Sequence, residues 1–368
     1  MQTTFIEVLR SSPDERRALY AAAAAGLQTR AENVEKDLYV CWILDFLFNQ
    51  RDGDPVNLYF KGGTSLSKAY DVIKRFSEDI DFGVYKADIE APLEDEIAAQ
   101  GSVTKQQKML AEKVDDAART YISGPLRDQL LRKIAEIEAI VGEQGHFTVE
   151  YGYDAYRKRD ALDILVVTYK SVFGTDADYV RPAVRIEGGA RPDPVPVEAR
   201  TIIPYIASEL TSADDLAVNG VTTVKPERTF WEKVLILHAM TEMTEKRADE
   251  QNPEKPVPDL NRYSRHYYDV HQIWTNGAYG KKTARMSELA EACRVHKELM
   301  FRAPDHRYDR AVPGSYRLNP NSEMLEKLAR DYERMSAMIF GEIPKFGDVM
   351  RSIAELEQFL NSVSEEKN

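Results

Sequence analysis

The sequence predicts an α+β protein, with a mixed sheet flanked by helices over residues 1–220, a helical insertion near 94–142, and a helical domain over 221–368. Three observations predict it. Period-two alternation sets Ile80, Phe82 and Val84 against Asp79 and Asp81, and strand character returns at 146–151, 161–169 and 183–187. Apolar residues at helical spacing occupy the segments before and between those strands. Beyond Gly220 the helical period dominates, and 368 residues exceed the ~250–300 that one core usually serves.

Ser12-Pro13-Asp14-Glu15 reads as a helix start, followed by the alanine-rich 19–27 and a more apolar helix over 32–49. Leu58-Tyr59-Phe60 reads as a strand end. It runs into Gly62-Gly63, where backbone amides can approach an anion closely, and Thr64 and Ser65 offer an N-cap and hydroxyl donors. Leu66, Ala69, Tyr70, Ile73 and Phe76 then predict one helix packed by one side, with Lys68, Asp71, Lys74 and Arg75 largely on other faces. The Lys-, Glu-, Ala- and Leu-rich 94–142 predicts two helices parted near Gly124-Pro125. In the last third, Pro226-Glu227 opens a helix, others are expected at 263–274, 281–300, 322–340 and 346–363, and 247–258 reads as a polar loop.

The chemistry concentrates in 60–85, FKGGTSLSKAYDVIKRFSEDIDFGVY. Asp79 and Asp81 share one strand face, where bare carboxylates would repel. A divalent cation reverses that sign, and hard Mg²⁺ takes oxygen from one or two carboxylates and from substrate phosphates. In VRIEGGARP, Val184 and Ile186 alternate with Arg185 and Glu187, so a third acid is available. Asp163, in ALDILVV, competes with Glu187 for that place.

KGGTSLSKAY followed by RFSEDIDF resembles the AbiEii-type nucleotidyltransferase toxins, within the DNA polymerase beta-like nucleotidyltransferase superfamily. The resemblance implies a polymerase beta-like core with a C-terminal helical domain, and transfer of a nucleoside monophosphate from an NTP to an acceptor hydroxyl. Asp79, Asp81 and Glu187 would be the metal ligands, with Mg²⁺ as the cofactor and Mn²⁺ as its substitute. Lys61, Gly62, Gly63, Thr64 and Ser65 would hold the nucleotide. KPERTFWEKVLILHA and RYSRHYYDVHQIW are similar to the family's second half, which carries a catalytic lysine onto Lys233 and an acid onto Asp269. Arg228 and Arg265 are further cationic candidates for the nucleotide. The family also implies an RNA acceptor such as the tRNA 3′ end, growth arrest, and a cognate antitoxin protein.

Composition narrows the alternatives. With 43% hydrophobic and 30% charged residues the chain reads as globular, and its N-terminus has no basic-then-apolar leader, so a cytoplasmic location without membrane is expected. A net charge of −12 argues against a general duplex-coating protein. Cys41 and Cys293 are too few and too separated for a zinc or disulfide framework. His266 and His271 fall on different faces of a helix and fit no two-histidine metal grip, and His238 reads as a hydrogen-bonded core residue. A metal-dependent nuclease using the same acids on water, and a non-catalytic binding protein on this scaffold, are the alternative functions.

Overall fold

In the computed structural model, which describes residues 2–154, 159–174, 181–210, 213–250 and 260–362, the strand segments assemble one seven-stranded mixed sheet. The strands are β1 (Leu58–Lys61), β2 (Ile80–Val84), β3 (Phe147–Asp154), β4 (Arg159–Tyr169), β5 (Ala183–Gly189), β6 (Val197–Ile202) and β7 (Val218–Val224). Their order is β3-β4-β5-β2-β1-β7-β6. The central strands set the site: β2 runs antiparallel to β1 and parallel to β5. The fold class is the one expected, although β6 and β7 were not foreseen.

Around the sheet lie α1 (Gln2–Arg10), α2 (Pro13–Leu27), α3 (Ala31–Asn49), α4 (Gly62–Lys68), α5 (Glu94–Ala98), α6 (Val103–Met109), α7 (Asp116–Tyr121) and α8 (Arg127–Val141). Ser12 and Glu15 form a reciprocal capping box at α2, as that sequence start suggests. The expected break at Gly124-Pro125 does not occur, because the backbone continues from α7 to α8 through a π turn over Ile122–Leu126 that contains the proline. Helix α3 is buried along Asn33–Leu47, polar residues included. Each buried charge there is answered: Glu35 accepts from Ser171 Oγ and the Val172 amide, Lys36 pairs with Glu78, Asp37 with Lys68, and Asp45 accepts from Asn49 and Gln50.

Two compact units divide the chain: Met1–Tyr70 with Phe76–Val224, and Asp71–Arg75 with Lys225–Asn368. The second is helical, with α9 (Pro226–Glu250), α10 (Ser264–Thr275), α11 (Gly280–Ala284), α12 (Ser287–Met300), α13 (Ser322–Ser336) and α14 (Phe346–Ser362). The single helix expected over 281–300 is two, and the one expected to reach 340 ends at Ser336. Of the expected loop at 247–258, Arg247–Glu250 continue α9, and the remainder lies outside the described residues, as does Val363. No described helix is long and apolar enough to cross a membrane.

The largest departure from expectation follows the glycine turn. The helix stops at Lys68, Asp71 takes a left-handed φ of 51°, and the chain continues without regular structure to an isolated bridge at Arg75. Arg75 bridges Ile339, and the Phe340 amide donates to the Lys74 carbonyl at 2.7 Å. Ile73 and Phe76, the last two residues of the expected helical spacing, are buried together with Val72, but on an irregular strap rather than a helix. Burial need not reveal the backbone that achieves it.

Two adjacent strand glycines separate packing from vacancy. A Cβ on Gly188 would stand 2.4 Å from Phe82 Cζ and 2.5 Å from Ile122 Cδ1, both residues fully buried, whereas on Gly189 it would meet nothing within 4 Å. Gly188→Ala is therefore expected to cost about 1–3 kcal/mol. Gly189→Ala is expected to be neutral, or to stabilise by up to about 1 kcal/mol through the unfolded chain. Denaturant unfolding of the two variants tests the contrast.

Candidate active site

Backbone register places two acids side by side. Asp81 lies opposite Lys61 of β1 on one flank and opposite Glu187 of β5 on the other, and residues paired across neighbouring strands share a sheet face. Asp79 stands one residue before β2 and two before Asp81. All three acids are half-buried. The opposite face is apolar, carrying Ile80, Phe82, Val184 and Ile186. Asp163 belongs to that other side, since its neighbour Ile164 is the one that pairs with Glu187.

The acid face closes one step away. Tyr59 is buried there, with its ring over Gly83, where a Cβ would lie 1.9 Å from Tyr59 Cζ, and its hydroxyl donates to the Pro192 carbonyl at 2.6 Å. This leaves Lys61, Asp81 and Glu187 at the more open end.

Gly62 is needed for two reasons. Its φ of 85° is a region that side chains disfavour, and a Cβ there would stand 2.2 Å from Asp81 Oδ2. The bare turn thus seats the Asp81 carboxylate. The expected N-cap role of Thr64 and Ser65 is not observed: the N-cap of α4 is Lys61, in extended geometry and without a side-chain cap. Thr64 is fully buried and donates to the Asp79 carbonyl, with Ser77 Oγ 2.9 Å away. Ser65 donates to the Gly62 carbonyl at 2.9 Å. Both hydroxyls fix backbone, Thr64 at the entry to β2 and Ser65 at the glycine turn.

Carboxylates without histidine or cysteine beside them are a donor set that suits a hard divalent cation in kind. Their side chains have not converged, because the Arg185 guanidinium pairs with Glu187 on the same strand. Among the described residues no three His, Cys, Asp or Glu side chains are grouped to hold one ion. The backbone supplies the alignment, and a cation would have to compete with Arg185 for Glu187.

Lys233 and Asp269 meet in the second unit. Lys233 Nζ lies 3.0 Å from Asp269 Oδ2 and 3.4 Å from His266 Nδ1. The sequence reading did not give Arg75 a role, yet its Nε and Nη2 donate to the two Asp269 oxygens at 2.8 Å each. Nothing local in the sequence signals a partner 194 positions away. Burial works to raise the Asp269 pKa, but Arg75 and Lys233 outweigh it and hold the carboxyl well below its ordinary range. Burial pushes Lys233 below its ordinary value, opposed by Asp269 and reinforced by Arg75. It also pushes His266 well down, with Lys233 adding to the effect, so the imidazole is neutral near pH 7. Arg228 pairs with Glu232 on α9, and Arg265 is half-buried on α10. His238 is buried and satisfied at both nitrogens, accepting from the Arg317 amide and donating to the Arg307 carbonyl. His271 faces Ser352, away from the Lys233 cluster, and both cysteines are buried and free.

Removing Asp269 would leave two buried cations uncompensated. Asp269→Asn is expected to cost about 3–5 kcal/mol at neutral pH. Because the folded pKa is depressed, wild type holds this stabilisation above the unfolded value near ~4 and loses it as pH falls through the lower folded value. The gap between wild type and variant should therefore narrow in acid, as urea unfolding at a series of pH values would read.

A solved structure, the nucleotidyltransferase toxin MenT4 of Mycobacterium tuberculosis H37Rv, is similar at 16% identity, covering 95% of this chain and 90% of that one with a TM-score of 0.47. No curated protein matches. The model of the AbiEii nucleotidyl transferase toxins of type IV toxin–antitoxin systems matches residues 45–361, which include the glycine turn, the three acids, Lys233 and Asp269. The chain therefore belongs to the AbiEii nucleotidyltransferase toxin family.

Proposed function

We propose that this enzyme transfers a nucleoside monophosphate from an NTP to a hydroxyl of an RNA, such as a tRNA 3′ end, with Mg²⁺ as cofactor, and that a cognate antitoxin protein opposes it. The carrying observation is the pairing of Asp81 with Glu187 beside a glycine turn shaped around the Asp81 carboxylate. In the reaction the acceptor oxygen bonds to the α-phosphorus, the bond to the β-phosphate oxygen breaks, and pyrophosphate leaves.

Asp79, Asp81 and Glu187 would hold the cation, which when bound neutralises phosphate charge and acidifies the attacking hydroxyl. The amides of Gly62 and Gly63 are read as donors to the phosphates. Thr64 keeps Asp79 in place through its carbonyl. Lys233 is read as a further phosphate donor. An ammonium has three N–H groups, and among the described residues two of the Lys233 donors have partners.

Incubation with each α-labelled NTP, Mg²⁺ and total RNA tests the activity. Label should enter RNA with release of pyrophosphate, whereas shortened RNA without label would indicate a nuclease. Asp79→Ala and Asp81→Ala should each lower transfer about a thousandfold, equivalent to ~4 kcal/mol of transition-state stabilisation. Wild-type labelling by the double variant would refute the assignment.

Gly63→Val should weaken NTP binding by placing a side chain where phosphate would meet backbone, and Lys233→Ala should weaken it about 10–100-fold, as losing a charge-assisted contact does. Ser65→Ala should have a smaller effect than either. Equilibrium binding of NTP with Mg²⁺ reads all three, and unchanged affinity in the valine variant would remove the glycine turn from the nucleotide site.

A further inference from the structure

We infer that Arg75 is a positioning residue for the nucleotide, sharing the charge of Asp269 so that the Lys233 ammonium keeps one donor and part of its positive charge for a substrate phosphate. The inference rests on the reading of Lys233 as a phosphate donor and adds a residue that contacts no substrate.

The geometry is a shared carboxylate. Arg75 spans both Asp269 oxygens in a two-point fork, and Lys233 reaches only Oδ2, which Arg75 Nη2 already engages. Asp269 is fully buried, and Arg75 and Lys233 are 4% and 7% exposed, so water screens this group poorly. Two cations face one anion. The remaining Lys233 partner, His266, is neutral near pH 7 and supplies no negative charge. Arg265, also a cation, acts on Lys233 in the same direction as Arg75. An ion pair closed on itself would have required only Lys233 and Asp269. Two buried cations crowded on one carboxylate are costly in the empty protein, a cost relieved when an anion arrives. The fork also sets direction: a planar guanidinium holding both oxygens fixes the carboxylate plane, which in turn fixes where Nζ sits.

NTP binding by wild type, Arg75→Ala, Arg75→Lys and Lys233→Ala, measured with Mg²⁺ from pH 7 to 10.5 and with a melting temperature for each, tests the inference. Without Arg75, Asp269 and Lys233 close on each other, so Arg75→Ala should bind NTP about tenfold or more weakly at pH 7.5. Loss of a neighbouring cation raises the Lys233 pKa, so the alkaline loss of binding should move up by about one pH unit. A purely structural Arg75 would lower the melting temperature without moving that limb. Arg75→Lys keeps the charge and loses the fork, and should show a severalfold weaker affinity with the limb nearly unmoved. This variant decides the matter if Arg75→Ala does not fold.

Folded Arg75 variants that match wild type in affinity and limb, beside a Lys233→Ala that binds poorly, would overturn the inference and leave the role of Lys233 standing. Wild-type affinity in Lys233→Ala would overturn both. Absence of NTP binding by the wild type would overturn the proposed function itself.

Discussion

Asp37 is a carboxylate without access to water, and how it is answered governs the acid face. It sits in α3, 1% exposed, and its oxygens meet Lys68 Nζ and the Tyr205 amide at 2.7 Å each. Lys68 adds a hydrogen bond to the Ile203 carbonyl at 2.8 Å and lies 3.6 Å from the centre of the Tyr205 ring. Burial alone would discharge it, but Asp37 holds it as an ammonium. Such a pair contributes little net stability, yet breaking one side costs several kcal/mol, so it acts chiefly as a register. Lys68 ends the helix that Gly62 begins, and seven residues span only ~10 Å. Fixing the far end of so short a helix fixes the turn at its start.

The entry to β2 is held from two directions by similar means. Lys36, one residue before Asp37, pairs with Glu78 at 2.5 Å, and Thr64 holds the Asp79 carbonyl. The acids therefore stand on backbone whose position is set by buried polar partners. Glu187, half-buried and paired with Arg185, would have to change partners to take a cation. A rigid frame carrying exchangeable side chains suits a site that must admit and release a highly charged substrate.

Much of this was legible in the sequence because it is local. The acids of β2 and the Val184 to Glu187 alternation declare their faces by period two, and Gly62-Gly63 announces a turn. What escaped depends on distant chain. The period of Leu66, Ile73 and Phe76 fits a helix, but the chain leaves helical form after Lys68 and Arg75 bridges Ile339, which no local pattern encodes. Strands β6 and β7, VEARTI and VNGVTTV, lack clean apolar alternation and acquire strand form by pairing with each other and, for β7, with β1. Arg75 looked like a solvated helix residue because its carboxylate partner lies far along the chain.

The strap at 71–75 also bears on how the protein is made and how it can be divided. It leaves the ribosome long before the residues it packs with, so a buried arginine must wait through the synthesis of nearly two hundred further residues for its counter-ion. No single cut separates the two units, because any fragment ending at Val224 keeps five residues whose partners lie beyond the cut. The linear boundary near 224 marks where the chain changes character, while the chain itself passes between the units three times, at 70/71, 75/76 and 224/225.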